Sequence, residues 1–172
     1  MRLTALVALS LALLMTGCAG PERYDAAGDV HTLLVAIRDS DRAAFDAHVD
    51  RDALKDQLHA RLMSEATRRM NGDPTLAAIG ALIGRPLVDG LADALIQPDV
   101  FLAVAEYLGY SPDRPLPNRM VIAQALRRLD DDHVCVPRKT DGPCVLIFRD
   151  EAGVWRLTRF EGDIGLLRVP RR

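Results

Sequence analysis

The sequence lacks the short motifs that mark the well-defined enzyme classes. Its 172 residues contain no Gly-x-Ser-x-Gly nucleophile turn, no P-loop, no dinucleotide-binding glycine fingerprint and no His-Glu-x-x-His helix. Three of its histidines, His31, His48 and His59, lie on predicted helices at unrelated spacings. We therefore expect no enzymatic activity, no bound metal and no cofactor.

Strong positive charge is also absent. The formal net charge is −2 at pH 7, and lysine occurs only at Lys55 and Lys139. Nucleic-acid-binding proteins need a basic patch to neutralise phosphates, so this composition argues against nucleic acid as a partner. The arginines near the C-terminus are too few to hold the chain on anionic headgroups by themselves: Arg168, Arg171 and Arg172.

No apolar run at the N-terminus is long enough to cross a bilayer permanently. Residues 3–15 are apolar apart from Thr4 and Ser10, and as a helix they would span about 20 Å, against roughly 30 Å for the hydrocarbon core. A short run of this kind after Arg2 is typical of an export signal. The sequence thus predicts a signal peptide over residues 1–17.

The predicted signal ends at a cysteine. Met15-Thr16-Gly17-Cys18 resembles the lipobox of bacterial lipoproteins, which implies that Cys18 is acylated, for example with palmitate, and becomes the new N-terminus. The domain would then lie in the periplasm of the cell envelope, anchored to a membrane through that lipid. Because Ala19 stands where an Asp would imply inner-membrane retention, we expect the outer membrane. A soluble secreted protein and an uncleaved anchor are the alternatives.

Apolar residues recur at helical spacing through most of the chain up to residue 129, which predicts an array of helices. Residues 18–28 are predicted to be a tether, and residues 29–172 a single domain. The first helix has its apolar positions at i, i+3, i+4 and i+7: Val30, Leu33, Leu34 and Ile37. Oxygens of residues 39–41 and of Asp50 are placed to cap the next two helices.

The most apolar internal stretch is residues 75–85. It ends at Arg85-Pro86, and its Gly80 and Gly84 could form a packing face in a membrane. Because the run has only about eleven residues, a buried core helix is the better interpretation. A further amphipathic helix should follow, with its apolar residues at Leu87, Val88, Leu91, Ala94 and Leu95. The last helix is expected over residues 118–129, with its inward side chains at Val121, Ile122, Ala125 and Leu129.

Beyond Asp132 the hydrophobic pattern changes to a period of two, which is typical of strands. Three strands are predicted, over residues 133–136, 144–149 and 154–160. A four-residue turn at 150–153 would place Phe148 beside Trp155 and Leu146 beside Leu157. The expected fold class is therefore α+β, an N-terminal helical array followed by a small three-stranded antiparallel meander.

The cysteine count favours one disulfide. If Cys18 carries the lipid, Cys135 and Cys144 remain in an oxidising compartment. Pro137 and Pro143 disfavour tight strand pairing between them, so a wide loop should place the two cysteines opposite each other at its base. The alternative is a metal site formed by His133, Cys135 and Cys144, which lacks a fourth ligand at a recognisable spacing.

Three arrangements of carboxylates could also carry chemistry. His48 beside Asp50 could serve a hydrolase acting on lipid or cell wall, although helix capping is the simpler interpretation. His59 follows Asp56 by three residues, which is more often a surface pair. Residues 130–132 are three consecutive aspartates that could bind a cation, but such a run is usually a solvated turn.

Several segments resemble the bacterial family catalogued as domain of unknown function 2939. The resemblance lies in residues 36–45 (AIRDSDRAAF), 48–50 (HVD), 53–58 (ALKDQL), 77–82 (AAIGAL), 86–89 (PLVD), 94–99 (ALIQPD) and 155–158 (WRLT). These motifs are structural and imply no activity. The resemblance implies a short envelope protein with an apolar N-terminal segment.

Two functional hypotheses follow. The first is a non-catalytic interaction module, anchored at the membrane, that binds an unknown envelope protein through an exposed helix or sheet face. The second is a periplasmic carrier of a small apolar or lipid-like ligand, because residues 76–108 supply much apolar wall and helices over a small sheet can enclose a pocket.

Overall fold

The computed structural model describes residues 20–69, 74–107, 109–139 and 141–162, without the side chains of residues 66, 69, 74–83, 85 and 107. The predicted signal peptide and Cys18 lie outside these ranges. Among the described residues, no helix combines the length and apolar character that a membrane span requires.

Six helices precede a four-stranded sheet in this part of the chain. The helices are α1 (Pro21–Arg38), α2 (Arg42–Ala47), α3 (Arg51–Arg69), α4 (Pro74–Leu95), α5 (Pro98–Tyr107) and α6 (Arg119–Ala125). The strands are β1 (Arg127–Arg128), β2 (His133–Pro137), β3 (Cys144–Glu151) and β4 (Val154–Phe160). The α+β class is confirmed.

Side-chain caps begin the short second helix and the long third one, as the sequence predicts. The Asp41 carboxylate accepts a hydrogen bond from the Ala44 amide at 3.0 Å, and the Asp50 carboxylate accepts one from the Ala53 amide at 2.9 Å. Each bond satisfies an amide that has no partner inside its helix.

Helix α1 begins earlier than predicted. Residues 21–28, assigned from sequence to a tether, form its first two turns, with Pro21 at the first helical position. Ala26 and Ala27 are completely buried in the core. The tether prediction is therefore wrong for these residues. Alanines give only a weak hydrophobic pattern in the sequence, so this part of the helix was not recognised. In the fold, their small size lets neighbouring helices approach closely.

Helix α4 is continuous where two helices were predicted. Pro86 lies inside it and removes one backbone donor without ending the helix. The inward face also differs, since Leu87 is 74% and Leu91 48% exposed whereas Val88 and Ala92 are buried. The predicted burial of residues 76–83 falls on side chains that are not described.

The sheet is antiparallel in the order β1-β2-β3-β4, so the prediction of three strands is wrong by one. The extra strand, β1, occupies Arg127–Arg128, which the sequence assigned to the end of a helix over 118–129. Helix α6 ends at Ala125 instead. Val121 and Leu129 are exposed, and the buried positions are Ile122, Ala123 and Leu126. Two arginines carry no alternating pattern by which a strand could be recognised.

The β3–β4 hairpin has a tighter turn than predicted. Ala152 and Gly153 both have positive φ, 55° and 88°, and form a two-residue turn that matches the right-handed twist of the strands. The register therefore moves, so that Phe148 lies opposite Leu157, and Asp150 opposite Trp155. The expected cross-strand pairs are wrong.

The shared face of the hairpin is nevertheless confirmed. A register shift of two residues leaves each side chain on the same face of the sheet. Phe148, Trp155 and Leu157 are buried, and Leu146 packs against the core beside them. This apolar face meets α1 and α3, which carry the buried Val30, Leu33 and Leu54 in the same cluster.

The outer edge of β4 bonds to the helical region instead of to another strand. The Trp155 amide donates to the Asp29 carboxylate at 2.8 Å, and the Leu157 amide and carbonyl bond to the backbone of His48 and Asp50 at 2.9 and 3.0 Å. Beyond a bulge at Thr158, the Phe160 amide donates to Gln57 Oε1 at 3.0 Å, and its carbonyl accepts from Arg61 at 2.7 Å. An exposed strand edge would invite aggregation, and here the helices cover it.

Replacing Asp29 with Ala should lower the free energy of unfolding by roughly 1–3 kcal/mol, because the amide of the buried Trp155 would lose its acceptor. Asp29→Asn keeps an oxygen at that position and serves as the matched control, with a smaller expected loss. Urea denaturation followed by the fluorescence of Trp155, the only tryptophan, measures both variants. Equal stability of wild type and Asp29→Ala would contradict this role.

Candidate functional site

The two cysteines predicted to pair form a disulfide. Cys135 lies on β2 and Cys144 begins β3, with their Cα atoms 5.7 Å apart. They are not directly opposite as predicted, because Cys144 pairs with Pro137, and Cys135 with Ile147, across an irregularity at Val136 and Pro137. The disulfide links two positions that lie diagonally across β2 and β3, and it holds the loop between these strands.

The disulfide removes both thiols from the alternative metal site. The third member of that set, His133, has its Nδ1 atom 2.8 Å from Asp130 and 2.9 Å from Asp132. The hydrogen bond from His133 lowers the pKa of the Asp130 carboxyl below its usual range. The three side chains could offer ligand atoms to a cation, but both aspartates are exposed and Asp131 is paired with Arg128. The polar side chains of this turn between β1 and β2 therefore pair with neighbouring protein groups.

Removing the disulfide should destabilise the domain by roughly 2.7 kcal/mol, the chain-entropy value for a ring of about ten residues. The comparison is wild type against the double variant Cys135→Ala and Cys144→Ala, each denatured in urea with and without a thiol reductant. Reductant should lower the midpoint of wild type and leave that of the variant unchanged. A wild-type midpoint that ignores complete reduction would contradict the prediction.

The structure does not place His48 and Asp50 as a catalytic pair. His48 Nδ1 bonds to the Ala44 carbonyl at 2.9 Å, and its Nε2 lies 3.5 Å from Asp29. Asp50 caps α3 and lies 3.7 Å from Arg149. Both residues therefore serve the junction between helices and β4. The buried Nε2 of His59 has no hydrogen-bond partner among the residues that the structure describes.

A cavity of about 420 Å³ lies between the helices and the sheet. Helix α1 contributes one wall, α3 and α5 contribute two more, and β3 and β4 form the floor. Its apolar lining includes Leu33, Leu34, Ile37, Leu58, Val100, Phe101, Val104, Ala105, Leu146 and Phe160. The position of α5 is fixed in part by Phe101, whose ring meets that of Phe45 edge to face at 5.3 Å.

Two polar side chains that line the cavity are occupied by β4. Gln57 accepts from the Phe160 amide and donates to Glu161 at 3.3 Å. Arg61 donates to the carbonyls of Phe160 and Gly162 and to the Glu161 carboxylate. These groups close the structure around the cavity, and their hydrogen-bonding capacity is largely used there.

Two other polar side chains line the cavity with capacity left over. Tyr110 has a buried hydroxyl without a hydrogen-bond partner among the described residues. Arg38, the last residue of α1, donates through Nε and Nη2 to Asp39 at 2.7 and 2.9 Å, which uses two of its five donors. Hydrogen bonding to Asp39 raises the pKa of Arg38, with a smaller electrostatic contribution from Tyr110, so the guanidinium stays charged.

The sequence alone indicated that apolar residues could line a pocket, but not which of them would come together around it. The lining comes from separate elements that only the tertiary fold brings together. The tyrosine and arginine were not singled out from the sequence, since one stands in a proline-rich loop and the other ends an amphipathic helix. No local motif marks either of them.

The structure is a small α+β domain with an apolar cavity between its helices and its sheet. The chain belongs to the family described as Protein of unknown function (DUF2939), whose model matches residues 11–104, so the resemblance seen in the sequence is confirmed. The match covers α1 to α4 and most of α5, and it ends before the sheet. Neither the curated proteins nor the solved structures gave a match.

Proposed function

We propose that this protein is an envelope lipoprotein whose domain holds one small apolar or lipid-like ligand in the cavity between its helices and sheet. The cavity volume of about 420 Å³ supports this, because ligand pockets usually measure roughly 300–1,000 Å³ and are lined mainly by apolar side chains. The carrier hypothesis is therefore favoured over the interaction module.

The cavity is open to solvent over part of its surface, so a ligand could enter it from outside. Its described walls offer few polar partners for ordered water, which favours an apolar occupant.

The interaction-module hypothesis stays a prediction. Leu87 and Leu91 lie one turn apart on α4 and are exposed, as a docking face would require. Scattered exposed leucines are also ordinary on soluble proteins. The cavity is the more specific observation, because it combines several elements in one concave surface.

Ligand capacity can be tested with a neutral apolar fluorescent probe such as diphenylhexatriene. The full chain carrying Cys18→Ser should bind it saturably at one site. Ala105→Phe would place a ring in the cavity and should weaken binding at least tenfold. Ala103→Phe is the matched control, because this alanine is exposed on the same helix, α5.

Circular dichroism and Trp155 fluorescence check that both variants fold. Absence of saturable binding, or equal affinities of the two phenylalanine variants, would contradict the proposed cavity function. The measurement is independent of how the protein is anchored.

The anchor has its own test. Cells grown with an alkyne analogue of palmitate should incorporate the label into the wild-type chain and not into Cys18→Ser, because acylation requires the thiol. Fractionation should place the wild-type protein with the membranes. An unlabelled wild-type chain in the cytosol would contradict the lipoprotein proposal and the envelope location together.

A further inference from the structure

We propose that Tyr110 and Arg38 form the polar end of the cavity and bind the carboxylate of a single-chain fatty acid. This inference rests on the proposed ligand-binding function and names the class of ligand. It starts from the unpartnered Tyr110 hydroxyl, since buried polar groups in folded proteins nearly always have a partner.

The end of α5 positions Tyr110 through its backbone. Gly109 has a φ of +97°, and its amide donates to the Glu106 carbonyl at 2.9 Å. The Tyr110 amide donates to the Ala105 carbonyl at 2.9 Å. These two bonds form a Schellman motif, which turns the chain back over the helix it ends. Backbone hydrogen bonds thereby position Tyr110 at the cavity, and within the described ranges its hydroxyl has no partner.

Arg38 reaches the same cavity from the end of α1. Arg38 and Tyr110 both line the cavity, so the guanidinium and the phenol face the same apolar space. Asp39 holds two of the guanidinium donors at the surface, which fixes the side chain while other N–H groups remain available. Arginine suits a carboxylate because its planar fork can offer two parallel hydrogen bonds.

The chemistry of this end selects the head group. A hydroxyl that can donate and a guanidinium that can only donate both favour an acceptor with negative charge. Gln57 and Arg61 are engaged with β4 and its following residues, so among the described lining residues Arg38 and Tyr110 are the polar ones with capacity for a ligand. One polar end and otherwise apolar walls fit an amphiphile with a single head group and a single chain.

The experiment compares a long-chain carboxylate with its methyl ester, titrated into the full chain carrying Cys18→Ser. The carboxylate should bind at least tenfold more tightly than the ester. Tyr110→Phe should reduce that ratio about tenfold, because loss of the hydroxyl weakens binding of the charged carboxylate more than binding of the ester. Tyr24→Phe is the matched control, because Tyr24 is exposed and does not line the cavity, and it should keep the wild-type ratio.

A measurement of stability distinguishes a binding role of Tyr110 from a structural one. Without ligand, Tyr110→Phe should unfold at the same temperature as the parent or higher, since it removes a hydroxyl that has no partner. A single-chain phosphate ester of equal chain length distinguishes a general anion site from a carboxylate site, and it should bind more weakly than the carboxylate.

The outcomes are distinguishable. Equal binding of carboxylate and ester to the parent chain, or an unchanged ratio in Tyr110→Phe, would overturn the head-group assignment while leaving the apolar cavity function intact. Tighter binding of the phosphate ester would overturn the choice of carboxylate. Binding of neither carboxylate nor ester would overturn both this inference and the proposed function.

Discussion

The hydrogen bonds along the outer edge of β4 hold the helices to the sheet, and the rest of the architecture depends on them. A strand edge presents backbone donors and acceptors that need partners, and a helix can supply them only through side chains or its terminal backbone. Asp29 from α1, the backbone at His48 and Asp50, and Gln57 and Arg61 from α3 do so in succession. The helices are therefore attached to the sheet at its edge, and their apolar faces lie over one sheet face.

This manner of attachment also explains how a cavity can exist. Helices α1 and α3 are positioned by directional bonds to β4, whereas α5 contacts α1 and is fixed in part by the ring contact between Phe101 and Phe45. The cavity lies between these elements and is lined mainly by apolar side chains. Gln57 and Arg61 also line it, but they hydrogen-bond to β4 and the residues that follow it.

Local chemistry predicted much of this structure. The caps at Asp41 and Asp50 were readable because short acceptor side chains at helix starts have a known partner. The disulfide followed from compartment and count, and the buried face of the hairpin followed from its period of two. These features depend on residues close together in sequence, or on the alternation of side chains between the two faces of a strand. A register shift of two residues does not change that alternation.

Features set by tertiary contacts were not readable. Residues 21–28 are helical because α1 buries small alanines, not because of a strong amphipathic stripe. Pro86 lies within a continuous helix although proline removes a backbone donor, and β1 is defined only by the pairing of Arg127 and Arg128 with β2. The cavity belongs to the same category, since Leu34, Val104 and Leu146 lie far apart along the chain and become neighbours only in the folded domain.

The bond between Asp29 and Trp155 spans 126 positions of the chain, and the family match stops at residue 104. The native contacts of the helices in the family segment therefore extend to a strand outside it. During synthesis these helices emerge long before the strand that completes their core. Contacts between residues so far apart carry a loop-closure cost that local helical contacts avoid. Until the last strand is made, the nascent chain must hold its apolar surfaces without their native partner.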